Sequence, residues 1–374
     1  MKAKLLYLLF LFVTVFIGLE IVLRIYNPFP ARLRMDKIVL PRDQHIVIRN
    51  NYVPVLDSVI HVSKNSLGFR GPEMPADASN MISLITIGGS TTECDVISDS
   101  TTWPFLIGEY LSQDIPNIWV NNAGMDGHST FGHQILLDDY IMNLHPSFIL
   151  FLVGVNDVER YDLNNFDKRF ISKGIKGVLE KSEVVVLIVN MRRTMLARKL
   201  KIQHNYRPFS ELTEDNITFS DRYCDSVLSA QSPYLLGYRE RLSALMDSCL
   251  QNGITPLLVT QPSLFGGGID SVSKADLSYM NLHDGTNGDL YWDRLELYND
   301  VTRKLAHDKG IYLVDLAREM PKSTLYFYDA IHFTVKGCQK VAEILTRELS
   351  KDSTGLGKFI SLPGAVPFSQ DAIH

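Results

Sequence analysis

The sequence is poor in the signals that mark several common functions. Its four cysteines, Cys94, Cys224, Cys249 and Cys338, are scattered without C-x-x-C spacing, which excludes a zinc ribbon and a disulfide-dense scaffold. Neither G-x-G-x-x-G nor G-x-x-x-x-G-K-S/T occurs, so no phosphate-cradling loop is announced. A net charge of −5, with no basic run interleaved with aromatics, gives no reason to expect nucleic acid. Internal repeats and low-complexity tracts are absent too, which sets aside solenoids and disordered arrays. What remains, in 374 residues, is room for two average domains or for one α/β domain with insertions and an N-terminal extension.

The N-terminus departs from this otherwise soluble composition. After Lys2 and Lys4, residues 5–23 hold fifteen Leu, Ile, Phe or Val. Each is worth roughly −0.3 to −0.6 kcal/mol on insertion, about −7 kcal/mol in sum, against at most roughly 3 for Glu20. A helix over this stretch spans about 28 Å, close to the hydrocarbon thickness, and Glu20 and Arg24 lie one turn apart at its end, where both reach the interface. Residues 1–26 therefore read as a transmembrane signal-anchor. A cleaved signal peptide is the competing reading, but no small-x-small pair follows the run and no cysteine stands where a lipoprotein signal needs one. Arg24, Arg32, Arg34 and Lys37 after the span outnumber the two lysines before it, which by charge counting puts the body of the protein on the cytoplasmic side.

Residues 27–80 form a membrane-proximal connector. Asn27-Pro-Phe-Pro30 is a stiff exit, and residues 45–48 and 59–62 read as short strands of a hairpin or edge. Asn65-Ser-Leu-Gly-Phe-Arg-Gly71 is a glycine-rich turn, either packed on the domain or facing substrate. From residue 81 the pattern changes to strands alternating with helices. Strands are expected at 81–88, 118–122, 148–153, 254–260 and 311–316, with helical spacing at Trp103–Leu111, Leu137–Leu144 (stopped by Pro146), Leu295–Leu305 and Val341–Leu349. Such alternation means an α/β fold with a parallel sheet covered on both faces. The stretch 160–235 reads as an insertion, shaping a substrate groove or a membrane-proximal surface; its apolar run Val184–Val189 would equally serve as another strand. Residues 351–374 are a loop-like tail.

In a parallel sheet every strand's carboxyl end lies on one side, and that is where the distinctive polar residues fall. Gly88-Gly89-Ser90 turns out of the first strand, its glycines allowing dihedrals a Cβ would forbid. Residues 123–130 follow the second strand, Gly154-Val-Asn156-Asp157 the third, and Asp329-Ala-Ile-His332 comes after the last. His332 is placed to accept the Ser90 proton as general base, worth roughly 10² to 10⁴ in rate, with Asp329 fixing its tautomer. The Ser90 N–H, the Gly127 N–H and the Asn156 amide would hold an oxyanion, each donor worth about 2.7–4 kcal/mol.

These ordered blocks, Gly-Gly-Ser90-Thr, Asn122-Ala-Gly-Met-Asp-Gly127, Gly154-Val-Asn156-Asp157 and Asp329-Ala-Ile-His332, resemble the SGNH/GDSL hydrolase superfamily over roughly residues 81–350, with G-G-S-T in place of G-D-S-L. The resemblance implies a three-layer flavodoxin-like fold with five parallel strands. It also implies a nucleophilic Ser90, an Asp329/His332 pair, and an oxyanion hole from Ser90, Gly127 and Asn156, working without metal or organic cofactor. Gly124 competes for the oxyanion role, and Gly127 is preferred because the family's block matches at its second glycine. The anchor followed by N-S-L-G-F-R-G is similar to membrane-tethered bacterial members, and that likeness, against the charge count, places the catalytic domain outside the cytoplasm.

Other features are read more plainly. Glu93 is expected on the solvated side of the turn, and His128 and His133, whose i, i+5 spacing suits no shared metal, as loop or surface residues. Gly266-Gly-Gly268 belongs to a loop that either closes over substrate or is slack surface chain, and Asn216-Ile-Thr218 matches a glycosylation sequon. The expected function is a serine esterase removing a small acyl group, such as acetyl, from a cell-envelope glycan through an acyl-enzyme. The partners are then the ester substrate and, through the N-terminal helix, the membrane. Acyl transfer to a sugar hydroxyl, and a glycan-binding protein that keeps the fold without turnover, are the alternatives.

Overall fold

The computed structural model describes residues 2–25, 33–34, 37–38, 40–51, 53–77, 80–160, 181–199 and 209–359, and the chain divides into two units, Met1–Pro41 with Phe166–Asn205 and Arg42–Asn165 with Tyr206–His374. The larger unit opens with the expected hairpin, β1 (Gln44–Arg49) paired antiparallel with β2 (Val59–Lys64). Five β-rich runs then become the parallel strands β3 (Ile82–Gly88), β4 (Ile118–Asn122), β5 (Phe148–Leu152), β6 (Thr255–Val259) and β7 (Tyr312–Val314). Their order across the sheet is β4-β3-β5-β6-β7, with Leu84 opposite Phe148 and Leu150 opposite Leu257. The order turns back beside β3, which makes the carboxyl end of that strand a switch point where such sheets bind ligands. The last two strands are shorter than expected; just beyond them Thr260 N donates to Val314 O at 3.1 Å and its hydroxyl to Asp315 at 2.9 Å.

Side chains of the sheet alternate between two buried faces. Leu84, Leu150, Leu257 and Val314 join a cluster with Trp103, Ile107 and Leu111 of α3 (Trp103–Ser112) and Val341, Ile344 and Leu345 of α7 (Val335–Leu349). Ile85, Ile87, Ile149, Phe151 and Leu258 are buried on the opposite side, where α5 (Ser232–Gln251) and α6 (Gly288–Lys309) pack on each other and on β6. Burying each such apolar side chain is worth about 1.5–3 kcal/mol, so both helical layers hold the sheet between them. The helix expected from Leu137 starts earlier: Ser129 caps Phe131 N, α4 runs Thr130–Leu136, and a π turn and a 3₁₀ turn carry it to Leu144. His145, in the left-handed region at φ 46°, and Pro146 end it.

The smaller unit holds α1 (Lys2–Ile25), long and apolar enough to cross a membrane. The run Val184–Val189, for which a strand stood open, is part of a helix, Glu183–Lys199. Its start is fixed from α1. Glu20 Oε1 accepts from Glu183 N at 3.0 Å and Oε2 from Val184 N at 3.2 Å and the Ser182 hydroxyl at 2.8 Å, while Arg24 donates to Oε1 at 2.7 Å. A carboxylate there supplies acceptors to N–H groups that a helix cannot satisfy itself, which tips a β-branched run toward helix. Residues 161–180 and 200–208 of the expected insertion, the Asn27–Pro30 exit and the tail beyond Phe359 lie outside the described residues.

Candidate active site

Ser90 is the first residue of a four-residue helix, α2 (Ser90–Glu93), directly after β3. The two glycines before it are needed for space and not, as the sequence suggested, for dihedral freedom. Gly89 sits at φ −83° and ψ −150°, yet a Cβ there would lie 2.2 Å from Asn156 Nδ2, and one on Gly88 would lie 2.4 Å from the Leu152 carbonyl. The chain can therefore bring the serine and the asparagine together only with a hydrogen at that position. Asn156 is held in turn by donating to His128 O at 3.0 Å. Its amide carries two N–H groups, so this bond orients the other. Gly127 is the position where the backbone does require glycine, at φ 68°. Gly124, its competitor, is packed beneath α2, where a Cβ would meet Glu93 N at 2.4 Å.

Asp329 and His332 come from the loop between β7 and α7. Asp329 Oδ1 accepts from Ile331 N at 2.9 Å and His332 N at 2.8 Å. The three-residue spacing thus lets the carboxylate fold its own loop while Oδ2 meets His332 Nδ1 at 2.7 Å. Tyr328 stacks on the imidazole, with 5.6 Å between centroids and 12° between planes. On the far side of the ring, His332 Nε2 lies 2.7 Å from Ser90 Oγ. All three side chains are buried. Burial disfavours the charged imidazole, but the Asp329 carboxylate beside it wins and leaves His332 above its ordinary value. Burial likewise pushes Asp329 up, and the His332 charge with the hydrogen bonds from His332 and Ile331 brings it below the usual carboxylate range.

Two expectations about the surroundings are corrected. Glu93 is not solvated: its side chain is 17% exposed and pairs with Lys64 at 2.8 Å. His128 and His133 are buried, their rings 6.4 Å apart, and among the described residues no three His, Cys, Asp or Glu side chains cluster as metal ligands. Around the Gly266–Gly268 loop, where Gly267 and Gly268 are exposed, the flanking residues are tied down. Lys322 lies over the Trp292 ring at 3.1 Å and donates to Phe265 O, and Asp270 accepts from Ser323 at 2.6 Å and Ser273 at 2.7 Å. Of the two readings of Asn65–Gly71, the packed connector is the one observed, with Asn65 donating to Asn121 Oδ1 at 3.1 Å and Arg70 buried.

One supporting network carried no sequence signal beyond the N-D pair. Asp157 is fully buried and accepts from Thr130 N at 3.1 Å, Thr130 Oγ1 at 2.5 Å and Arg241 Nη2 at 3.1 Å, tying the loop after β5 to the start of α4 and to α5. Burial raises its carboxyl above the usual range despite Arg241. Removing one member leaves the others buried without their partner, so Asp157→Ala is expected to lower stability by about 3–5 kcal/mol. The measurement is the urea midpoint at unchanged slope; a loss below about 1 kcal/mol would contradict it.

The chain is similar to known proteins. The model of the GDSL-like lipase/acylhydrolase family matches residues 86–340. No curated protein matches the sequence. Among solved structures, an acetylxylan esterase from Geobacillus stearothermophilus is similar at 16% identity and a TM-score of 0.42, over 72% of this chain and 95% of that one. The acetyl xylan esterase AlAXEase gives 18% identity and a TM-score of 0.40 over 71% and 98%. An alpha/beta hydrolase from the metagenome of Lake Arreo, Spain, gives 15% identity and a TM-score of 0.41 over 73% and 95%. On the family match, which spans both the Ser90 turn and the His332 loop, the chain belongs to the GDSL-like lipase/acylhydrolase family and is an ester-hydrolysing enzyme.

Proposed function

We propose that this chain is a serine esterase that cleaves a small acyl ester through an acyl-enzyme, with Ser90 as nucleophile, His332 as general base and acid, and Asp329 as its orienting partner. The observation that carries it is the continuous relay Ser90 Oγ to His332 Nε2, and His332 Nδ1 to Asp329, at 2.7 Å each. With Asp329 accepting at Nδ1, the neutral imidazole keeps its proton there and offers Nε2 as the acceptor for the Ser90 hydroxyl. Attack of Ser90 Oγ on the ester carbonyl carbon passes the hydroxyl proton to His332. The resulting oxyanion takes hydrogen bonds from the Ser90 and Gly127 N–H groups and the second Asn156 N–H. Collapse breaks the ester C–O bond, and His332 protonates the departing alcohol. Water then repeats the sequence on the acyl-enzyme and releases the acid.

The substrate fitting this reading is an acetyl or similarly small acyl group on a cell-envelope glycan, with α1 holding the enzyme at the outer side of the membrane. Support for membrane attachment comes from the length and apolarity of α1, and for the outer side from the likeness of its sequence context to membrane-tethered hydrolases. A serine-directed fluorophosphonate is expected to label the purified enzyme at Ser90, and His332→Ala to abolish labelling. A folded wild-type protein that stays unlabelled would count against the mechanism. Release of free acetate from an acetylated glycan, undiminished by an acceptor sugar, separates hydrolysis from transfer.

A further inference from the structure

The short helix that carries Ser90 is gripped from behind by residues that precede the sheet. Four residues are far too few for a helix to hold itself, so the position of Ser90 depends on what fixes the other end of α2. Arg70 does most of this. Its backbone exchanges hydrogen bonds with Asn122 at the end of β4, N to O at 2.9 Å in both directions. Its buried guanidinium donates to Glu93 O and Cys94 O at 2.7 Å, to Ile97 O at 2.8 Å, and to Asp99 Oδ1 through Nε at 2.9 Å and Nη2 at 2.6 Å. Asn122 adds a bond from Nδ2 to Thr92 O at 2.7 Å. Planar and rigid, the guanidinium reaches three carbonyls and a carboxylate at once, which a lysine could not.

Glu93 then crosses from this turn to the loop after β4. Its Oε2 accepts from Asp126 N at 2.6 Å, while Oε1 receives Lys64 from the end of β2 at 2.8 Å. Asp126 immediately precedes Gly127, so the bond holds the Met125–Asp126 peptide, one residue before the left-handed glycine. Burial pushes the Glu93 carboxyl up, but Lys64 and the Asp126 N–H outweigh it and leave it below the usual carboxylate range. It is therefore an anion at neutral pH, and a charged acceptor makes the stronger hold on a backbone N–H.

We propose that Glu93, braced by Lys64 and Arg70, is a positioning residue that sets the Gly127 N–H against Ser90. This rests on the reading of Gly127 as an oxyanion donor. A donor displaced altogether costs about 10² to 10³ in rate, and one loosened but still present costs less. Glu93→Ala is expected to lower kcat by roughly 10- to 100-fold with KM within about twofold of wild type. It should also weaken inhibition by a boronic acid, which mimics the tetrahedral adduct, in step with kcat/KM. Glu93→Gln retains an oxygen for the Asp126 N–H and is expected to recover most of kcat, whereas Glu93→Met, of similar volume but without an acceptor, is expected not to, which separates the hydrogen bond from packing. Wild-type kcat and boronate affinity in Glu93→Ala would overturn the proposal. Should that variant fail to fold, Lys64→Met, which frees one side of Glu93, is expected to lower kcat severalfold, and an unchanged kcat would overturn it equally. Fluorophosphonate labelling of wild type keeps the two readings apart: an unlabelled Ser90 removes the catalytic assignment itself, whereas a labelled enzyme indifferent to Glu93 removes only the positioning role.

Discussion

Ser90→Ala is expected to reduce ester turnover by about 10⁴-fold or more while leaving the fold intact. In the proposed mechanism the hydroxyl is the group that bonds to the acyl carbon, so no neighbour substitutes for it. The side chain lost is small, and its hydrogen-bond partner is the His332 ring at 2.7 Å. Alanine keeps the Cβ of this buried residue in place. Folding is therefore predicted to survive with a melting temperature within a few degrees of wild type, checked alongside hydrolysis of an activated acetyl ester. Residual rate would come from oxyanion donors acting on attack by water, and that path is slower by orders of magnitude. Turnover within tenfold of wild type would refute the nucleophile assignment.

A second large loss is expected from Asp329→Asn. The amide can still accept from Ile331 N and His332 N through its oxygen, so the loop keeps its shape. Opposite Nδ1, however, an amide NH₂ would favour the wrong imidazole tautomer, with the proton on the nitrogen that should receive one from Ser90. A loss of about 10⁴ in kcat follows by analogy with other serine–histidine–aspartate sites. The pH profile gives an independent reading. In the proposed mechanism the neutral imidazole is the active form, so the wild-type rate is expected to rise with pH through a His332 value lying above the ordinary 6.5. Without the carboxylate the largest influence opposing burial is gone, Asp95 and Asp126 alone still favour the charged ring, and the acid limb should move to lower pH. Stability runs the other way. A raised histidine contributes stability that is full below its unfolded value and fades as pH climbs through the folded one, while the depressed Asp329 contributes above its unfolded value and loses this as pH falls through the folded one. Both describe one ion pair, most favourable between those limits. An acid limb that stays in place in the variant would separate Asp329 from His332.

The parts of the candidate site that could be placed from the chain alone were those with a strand immediately before them. Ser90 after β3, the Gly127 block after β4 and Asn156 after β5 are legible because a parallel sheet delivers all its carboxyl ends to one edge. Asp329 and His332 are legible because their spacing is the one a single loop can fold. The supporting residues were not, for a physical reason. Arg70 and Glu93 meet across 23 positions, Glu93 and Asp126 across 33, and such contacts leave no periodicity. A glutamate three residues past a serine looks the same whether it faces water or a lysine. The apolar run at Val184 misled in another way: six β-branched or leucine residues fit a strand, and only an acceptor from 163 positions earlier in the chain, Glu20, decides for helix. His128 and His133 likewise carry no mark of burial in their own neighbourhood.

The Glu20 contacts bear on how the enzyme should be prepared. A version begun after Ile25, the obvious way to work without detergent, discards more than a tether. The peptide hydrogens of Glu183 and Val184 and the Ser182 hydroxyl would lose their carboxylate acceptor. The valine-rich head of that helix, with Val184 and Val186 now buried, would be uncovered as well. Poor solubility in such a preparation would then be the symptom of an orphaned helix, and the catalytic fold could be sound all the same.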